Sequence, residues 1–293
     1  MNSFPVAYAV AAAVFSSLLY VILKYFQRWN VNNLQGLTFN YLTASTLSFF
    51  ITYGENMRQM ENANDFFAPA LMIGLLFILV FYITAMTAQK SGLAIASIAS
   101  KMSMAIPIFA GVFLFNDQVT VWRIAGVLLA LFAVFLSGSS ARRTSHSSAS
   151  VSYILPVLLF FGSGLVDTSI KISEHYFIKP ENINLYFAFL FGTAGIFGLI
   201  GLGYKYFKVK QTLTIRSVAA GVGLGVANYF SLIFLVSALA AEGAESSIIF
   251  AMVNMLVVVL TTVSGILLFH EKPTRTNIAG LSLALAALFI LSR

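Results

Sequence analysis

Ten apolar runs, each about 20 residues long and set apart by a few polar residues, fix the solvent for which this chain is built. They cover residues 4–26, 33–53, 67–88, 92–115, 119–138, 152–174, 183–204, 216–239, 244–269 and 275–292. Each matches the length at which a helix crosses the hydrocarbon of a bilayer. A barrel strand would need only about 10 alternating residues, whereas these runs are longer and apolar on every face. Of the 293 residues, 59% are apolar and 9% charged, against roughly 25% charged in soluble domains. The mean hydropathy is +0.89. A soluble fold of this size needs a polar skin that such a composition does not supply. The expected fold class is an all-α membrane protein with ten transmembrane helices, in contact with the lipid bilayer. The first run begins beside Met1 without a basic leader and is too long for a signal-peptide core, so it is read as the first membrane helix.

The net charge of +7 does not point to nucleic acid. Its Lys and Arg residues cluster at the ends of the apolar runs, where they mark the cytoplasmic face and meet anionic lipid. There is no Cys, which excludes disulfides, thiolate chemistry and Cys-ligated metal.

The Ser-rich, basic stretch 139–151 reads as a flexible linker between halves at 1–138 and 152–293. The halves are related. Gly111–Phe135 aligns with Gly265–Phe289 at a constant offset of 154, pairing Gly111/Gly265, Phe115/Phe269, Thr120/Thr274 and Gly126/Gly280. Asp117 and Glu271 follow the shared Phe by two in both copies. Earlier, Lys24 pairs with Lys171 at offset 147, and Leu37, Phe39, Leu42 and Phe49 pair with Leu185, Phe187, Leu190 and Phe197 at 148. Five is an odd number of spans, so the second copy enters the bilayer from the opposite side. The result is two inverted five-helix repeats, an architecture shared by many alternating-access transporters. The bias of Lys and Arg among the connections places both termini outside the cytoplasm.

The paired segments G-x-x-L-F-N-D-Q-x-T…IAG (Gly111–Gly126) and G-x-L-L-F-H-E-K-x-T…IAG (Gly265–Gly280), together with Lys24 and Lys171, resemble the drug/metabolite transporter superfamily, specifically EamA-like permeases. The resemblance covers nearly the whole chain. The sequence departs from the family pattern at Met104 and Val258, where a Pro is common, and at Asp117, where Glu is usual. The resemblance implies a small-metabolite permease of the plasma or inner membrane. It would move a compound such as an amino acid, in the outward direction, through a cavity lined by the first, third and fourth helices of each repeat.

Charged residues within apolar helices are the best pointers to a site, because an unpaired charge in hydrocarbon is costly. Lys101 lies about ten residues into the fourth run, too deep to reach either surface easily. It is a candidate contact for a substrate carboxylate, or else a structural partner for an acid. Asp167 lies deep in the sixth run, with Lys171 four residues on. It is a candidate for binding a substrate ammonium or a coupling proton, or for neutralising Lys171 or Lys101. Glu242 and Glu245 open the ninth run and suit a helix N-terminus; they join Asp167 and Lys171 as coupling or pairing candidates. Asp117 and Glu271 are expected to cap the helix that follows each. Tyr20, Tyr82, Asn228 and Tyr229 fall in runs expected to line the cavity, although ordinary packing accounts for such residues as well. Pro107 is a candidate hinge in the fourth helix.

Enzyme signatures are missing from the sequence. There is no P-loop and no HExxH motif, and the three His stand at unrelated places. No catalytic residue, metal ligand or cofactor is assigned, and a monomer with protons as one option for coupling is the simplest expectation. The competing readings are a channel or lipid-moving protein, which would present an open polar file or a hydrophobic groove, and a membrane-embedded enzyme.

Overall fold

The computed structural model describes residues 3–51, 53–54, 64–115, 120–141, 149–176, 183–241 and 246–291. Among these, the regular elements are helices and no strand occurs. In chain order they are α1 (Ser3–Arg28), α2 (Asn33–Ile51), α3 (Asn64–Lys90), α4 (Leu93–Met102), α5 (Ala105–Phe115), α6 (Val121–Ala141), α7 (Ala149–Tyr176), α8 (Ile183–Val209), α9 (Ile215–Ala240), α10 (Ser246–Phe269) and α11 (Arg275–Leu291). Seven stretches are long and apolar enough to cross a membrane, lying within α1, α3, α4–α5, α7, α8, α9 and α10. The apolar parts of α6 and α11 are shorter.

The surface is apolar in stripes. On α6, Ile124, Leu128, Leu131, Phe132 and Phe135 are all exposed, spaced to form one helical face. Leu71, Leu75 and Leu79 do the same on α3. Soluble monomers rarely expose contiguous patches of this kind. In a bilayer such faces meet acyl chains.

Two compact units divide the chain. The first comprises Met1–Lys24, Ile83–Thr168 and Phe230–Arg293; the second comprises Tyr25–Tyr82 and Ser169–Tyr229. Both draw on the two sequence halves.

In the second unit, α2 packs along α8. This explains why α2 carries more polar residues than a lipid-facing span tolerates: Gln35, Thr38, Asn40 and Ser48 are all buried on it. Gln35 Nε2 donates to the Thr212 carbonyl at 2.8 Å, and its Oε1 accepts from the Thr214 N–H at 3.2 Å, tying the α8–α9 connection to the start of α2. Gly221 and Gly225 of α9 lie against the backbone carbonyls of Gly36 and Asn40, where a Cβ would collide. Small residues permit this close approach, as is common between membrane helices. Ala70, Ile73, Leu185, Tyr186 and Leu190 form a buried cluster of α3 and α8, with Phe77, Ile170, Phe187 and Phe189 packed around it.

In the first unit, α6 packs along α11, and α4 packs against α6, α10 and α11. Ser97 on α4 accepts from Thr261 on α10 (2.7 Å), and Met104 Sδ accepts from Asn254 on α10 (3.6 Å). Seven residues forward from Ser97, into the turn that follows α4, thus correspond to seven residues back along α10, so the two run antiparallel.

Candidate functional site

The sequence predicts a single span over 92–115, but the structure divides it. α4 ends at Met102 and α5 begins at Ala105, with Ser103 and Met104 in a turn between them. The cause is Pro107. It has no N–H, so the Ser103 carbonyl four residues earlier loses its α-helical donor. That carbonyl is taken instead by the Ile106 N–H at 2.8 Å, a tighter i to i+3 bond.

Polar groups gather at this break. Ser103 is fully buried. Its hydroxyl lies 2.5 Å from the Ser100 carbonyl and 3.2 Å from Asp167 Oδ2 on α7, and donates to these acceptors. Ser100 Oγ shares a hydrogen bond of 3.3 Å with Ser163 of α7, and the Tyr20 hydroxyl of α1 lies nearby. Below these contacts, Gly164 of α7 lets Ile106 of α5 pack where a Cβ would collide.

Lys101 and Asp167 attract one another, yet no ion pair within 4.0 Å joins them. Lys101 is half-buried and Asp167 is exposed, although Asp167 lies on the same face of α7 as the buried Ser163 and Gly164. Exposure on a packed face at mid-helix means that the carboxylate borders an accessible space. Two opposite charges close enough to interact but not joined can bracket a small ligand that carries both signs.

A second cluster forms where α10 ends. His270 adopts a left-handed backbone (φ 53°) and closes α10, with the Glu271 N–H on the Gly265 carbonyl at 3.0 Å. This aims Glu271 at two partners. It forms an ion pair with Lys24 of α1, whose ammonium also lies 5.3 Å from the Phe269 ring. Its carboxylate accepts the Leu93 N–H at 3.1 and 3.2 Å, capping α4. The expectation that Glu271 caps the following helix is therefore corrected. Thr274 has that role, accepting the Asn277 N–H at 3.2 Å. Gly92, at φ 107°, supplies the backbone shape that no other residue adopts readily, and a Cβ there would stand 3.0 Å from Glu271 Oε2.

Of the residues singled out from sequence, Tyr20, Lys101 and Asp167 come together around the α4–α5 break, with Pro107 as its cause. Tyr82, Lys171, Asn228 and Tyr229 fall in the second unit. There Tyr82 is exposed and Tyr229 is buried, while Asn228 donates to Asn40 Oδ1 at 3.3 Å. Glu242, Glu245 and Asp117 lie outside the described residues.

Sequence reading missed Ser100, Ser103, Ser163 and Asn254. The repeat carried a signal for three of them. Ser16 and Ser163, and likewise Tyr20 and Asp167, stand at the offset of 147 that relates Lys24 to Lys171, and Ser100 and Asn254 stand at the offset of 154.

Among known proteins, the chain is similar to an uncharacterized protein of Haemophilus influenzae, 27% identical over 291 residues and covering 96% of each chain. A crystal structure of a further protein superposes with a TM-score of 0.56 at 9% identity, covering 95% of this chain and 97% of that one, which shows a common fold. The model of the EamA-like transporter family matches residues 3–139. Through that segment the chain is similar to transporters of that family, and its long apolar helices mark a multi-pass integral membrane protein.

Proposed function

We propose that the protein is a secondary transporter that carries a small zwitterionic metabolite, an amino acid or a close relative, outward across the plasma or inner membrane by alternating access. The observation that carries this reading is the helix break in α4–α5, with Lys101 and Asp167 facing the same region as unjoined opposite charges. Lys101 would hold the substrate carboxylate and Asp167 its ammonium, with Tyr20 and the Ser100–Ser163 pair completing the polar wall. Interrupted helices near the midplane are where transporters of inverted-repeat design bind substrate.

The ten-span, inverted-repeat organisation belongs to this proposal. It is supported by the pairing of α2 with α8 and of α6 with α11, since these are the second and the fifth spans of each half. It is also supported by the antiparallel register of α4 with α10, the fourth spans. The oppositely facing repeats would rock about the break, with Pro107 as the hinge. Asp167 is the first choice for a coupling proton, with Glu242 and Glu245 behind it. The working unit is a monomer with both termini outside the cytoplasm, and no step is catalytic.

The test is unfolding of the purified protein against a panel of metabolites, for wild type, Lys101→Ala and Asp167→Asn. A ligand at 100 times its dissociation constant should add about 2.7 kcal/mol. Stabilisation of the wild type that disappears in both variants supports the site, and counterflow in proteoliposomes then tests transport. Equal stabilisation of all three proteins means that these charges are structural.

A further inference from the structure

Asn254 sits within α10, a helix long and apolar enough to span the membrane. A side-chain amide at such a place must find polar partners or face a polar space. Among the described residues its one hydrogen bond goes to Met104 Sδ at 3.6 Å, and sulfur is a weak acceptor. The second N–H and the Oδ1 are left available, and the side chain is half-buried rather than sealed.

The surroundings indicate what the amide could meet. α4 presents two adjoining polar stripes. Ser100 and Ser103 face α7, where they bond Ser163 and Asp167. Ser97 and Lys101 fall at the i, i+4 spacing of one face of α4; Ser97 touches α10 at Thr261, and Met104, in the turn after α4, touches it at Asn254. Lys101 therefore lies on the α10-facing side of α4, between Ser97 and Met104 in the chain. Opposite it, Val257 and Val258 are fully buried and offer no polar group. On α10 the polar groups on this side are Thr261, already bonded to Ser97, and the Asn254 amide.

We propose that Asn254 is a substrate-binding residue that joins Lys101 in holding the substrate carboxylate. The Lys101 ammonium and the Asn254 Nδ2–H each donate to one carboxylate oxygen, between α4 and α10. The ammonium end of the substrate then extends to Asp167 on α7. This deepens the transport reading and rests on it. It assigns the two ends of a zwitterion to two different helices packed on the same break, and it makes α10 the element that distinguishes an acid from its amide.

The experiment measures affinity by ligand-induced thermal stabilisation, using the proteinogenic L-amino acids and, for each that stabilises the wild type, the corresponding amino-acid amide. Asn254→Asp keeps the side-chain size but places a negative charge at the carboxylate position. It should weaken binding of the acid by about tenfold or more while changing binding of the amide by less than about threefold. Asn254→Leu removes the donor without adding charge and should weaken the acid by a smaller factor in the same order. Asn254→Asp binding the acid as tightly as wild type overturns the inference, as does an equal loss of acid and amide in both variants. If no amino acid stabilises even the wild type, the substrate class itself fails and the role of Asn254 falls with it. Stabilisation of the wild type that Lys101→Ala removes and the Asn254 variants retain sinks only the present inference.

Discussion

Replacing Glu271 tests whether one side chain holds α1, α4 and the end of α10 in register. Its carboxylate has two functions: the ion pair with Lys24 and the cap on Leu93. The paired side chains are 22% and 15% exposed, between the surface regime of about 0–1 kcal/mol and the buried regime of about 3–5 kcal/mol for removal of one partner. About 2 kcal/mol is the corresponding figure for the pair. Loss of a cap at a helix start costs about 1 kcal/mol more. Glu271→Gln keeps one acceptor for the Leu93 N–H and should cost about 2 kcal/mol, whereas Glu271→Ala loses both functions and should cost about 3 kcal/mol. Lys24→Met leaves the carboxylate on the α4 N-terminus, where the helix dipole favours it, and should cost only about 1 kcal/mol. The assay is reversible unfolding in detergent, run as a double-mutant cycle at low and high salt. The half-buried pair should respond weakly to salt. If Glu271→Ala costs no more than Lys24→Met, the cap on α4 contributes nothing and the reasoning is refuted.

Three further outcomes are expected. Gly92→Ala forces a side chain into φ 107° beside Glu271, and should lower stability by about 1–3 kcal/mol in the same unfolding assay. Pro107→Ala restores the α-helical i+4 donor to the Ser103 carbonyl, so it should raise the unfolding midpoint while slowing exchange in proteoliposomes; equal gains in stability and rate would argue against the break as a hinge. Gly225→Leu places a side chain against Asn40 and Thr43 of α2, and should destabilise by about 1–3 kcal/mol or abolish folding, read as loss of monodisperse protein on gel filtration.

The helices were legible in the sequence because hydrophobic length is a local property, and seven of the stretches are long and apolar enough to cross a membrane. Every described helix overlaps a predicted run, with ends shifted by a few residues. What lay beyond sequence is the grouping of those helices. The α2 run is more polar than a lipid-facing helix, and only its packing along α8 and α9 shows where Gln35 and the Asn40 side-chain carbonyl find partners, at Thr212, Thr214 and Asn228. The division at Ser103 could have been placed from Pro107, since the carbonyl four residues before a proline is the one deprived of a donor. The Lys24–Glu271 pair spans 247 residues of sequence, and no spacing rule reaches that far. Both residues stood out as repeat-related positions, but the repeat pairs Lys24 with Lys171 and Glu271 with Asp117, and so conceals that each finds its partner in the other half.

The repeat also shows where the two copies have diverged, and the candidate site lies at those divergences. Positions that build the fold are shared: Gly111 with Gly265, Phe115 with Phe269, Gly126 with Gly280. At the break they differ. Asp167 stands where the first half has Tyr20, and Lys101 stands where the second half has Met255. Each half therefore contributes one charge opposite a neutral counterpart. Two identical copies would have brought two like charges of each sign to one region, and like charges at short range disfavour each other's ionisation. With one of each sign, the pair attracts across the α4–α7 contact and presents unequal ends. A ligand with a carboxylate and an ammonium then has one favoured orientation, fixed by which half supplies which charge. Near-symmetry of packing allows a fold to take two opposed arrangements. On the transport proposed above, asymmetry of charge at the break would hold the same substrate in one orientation in both.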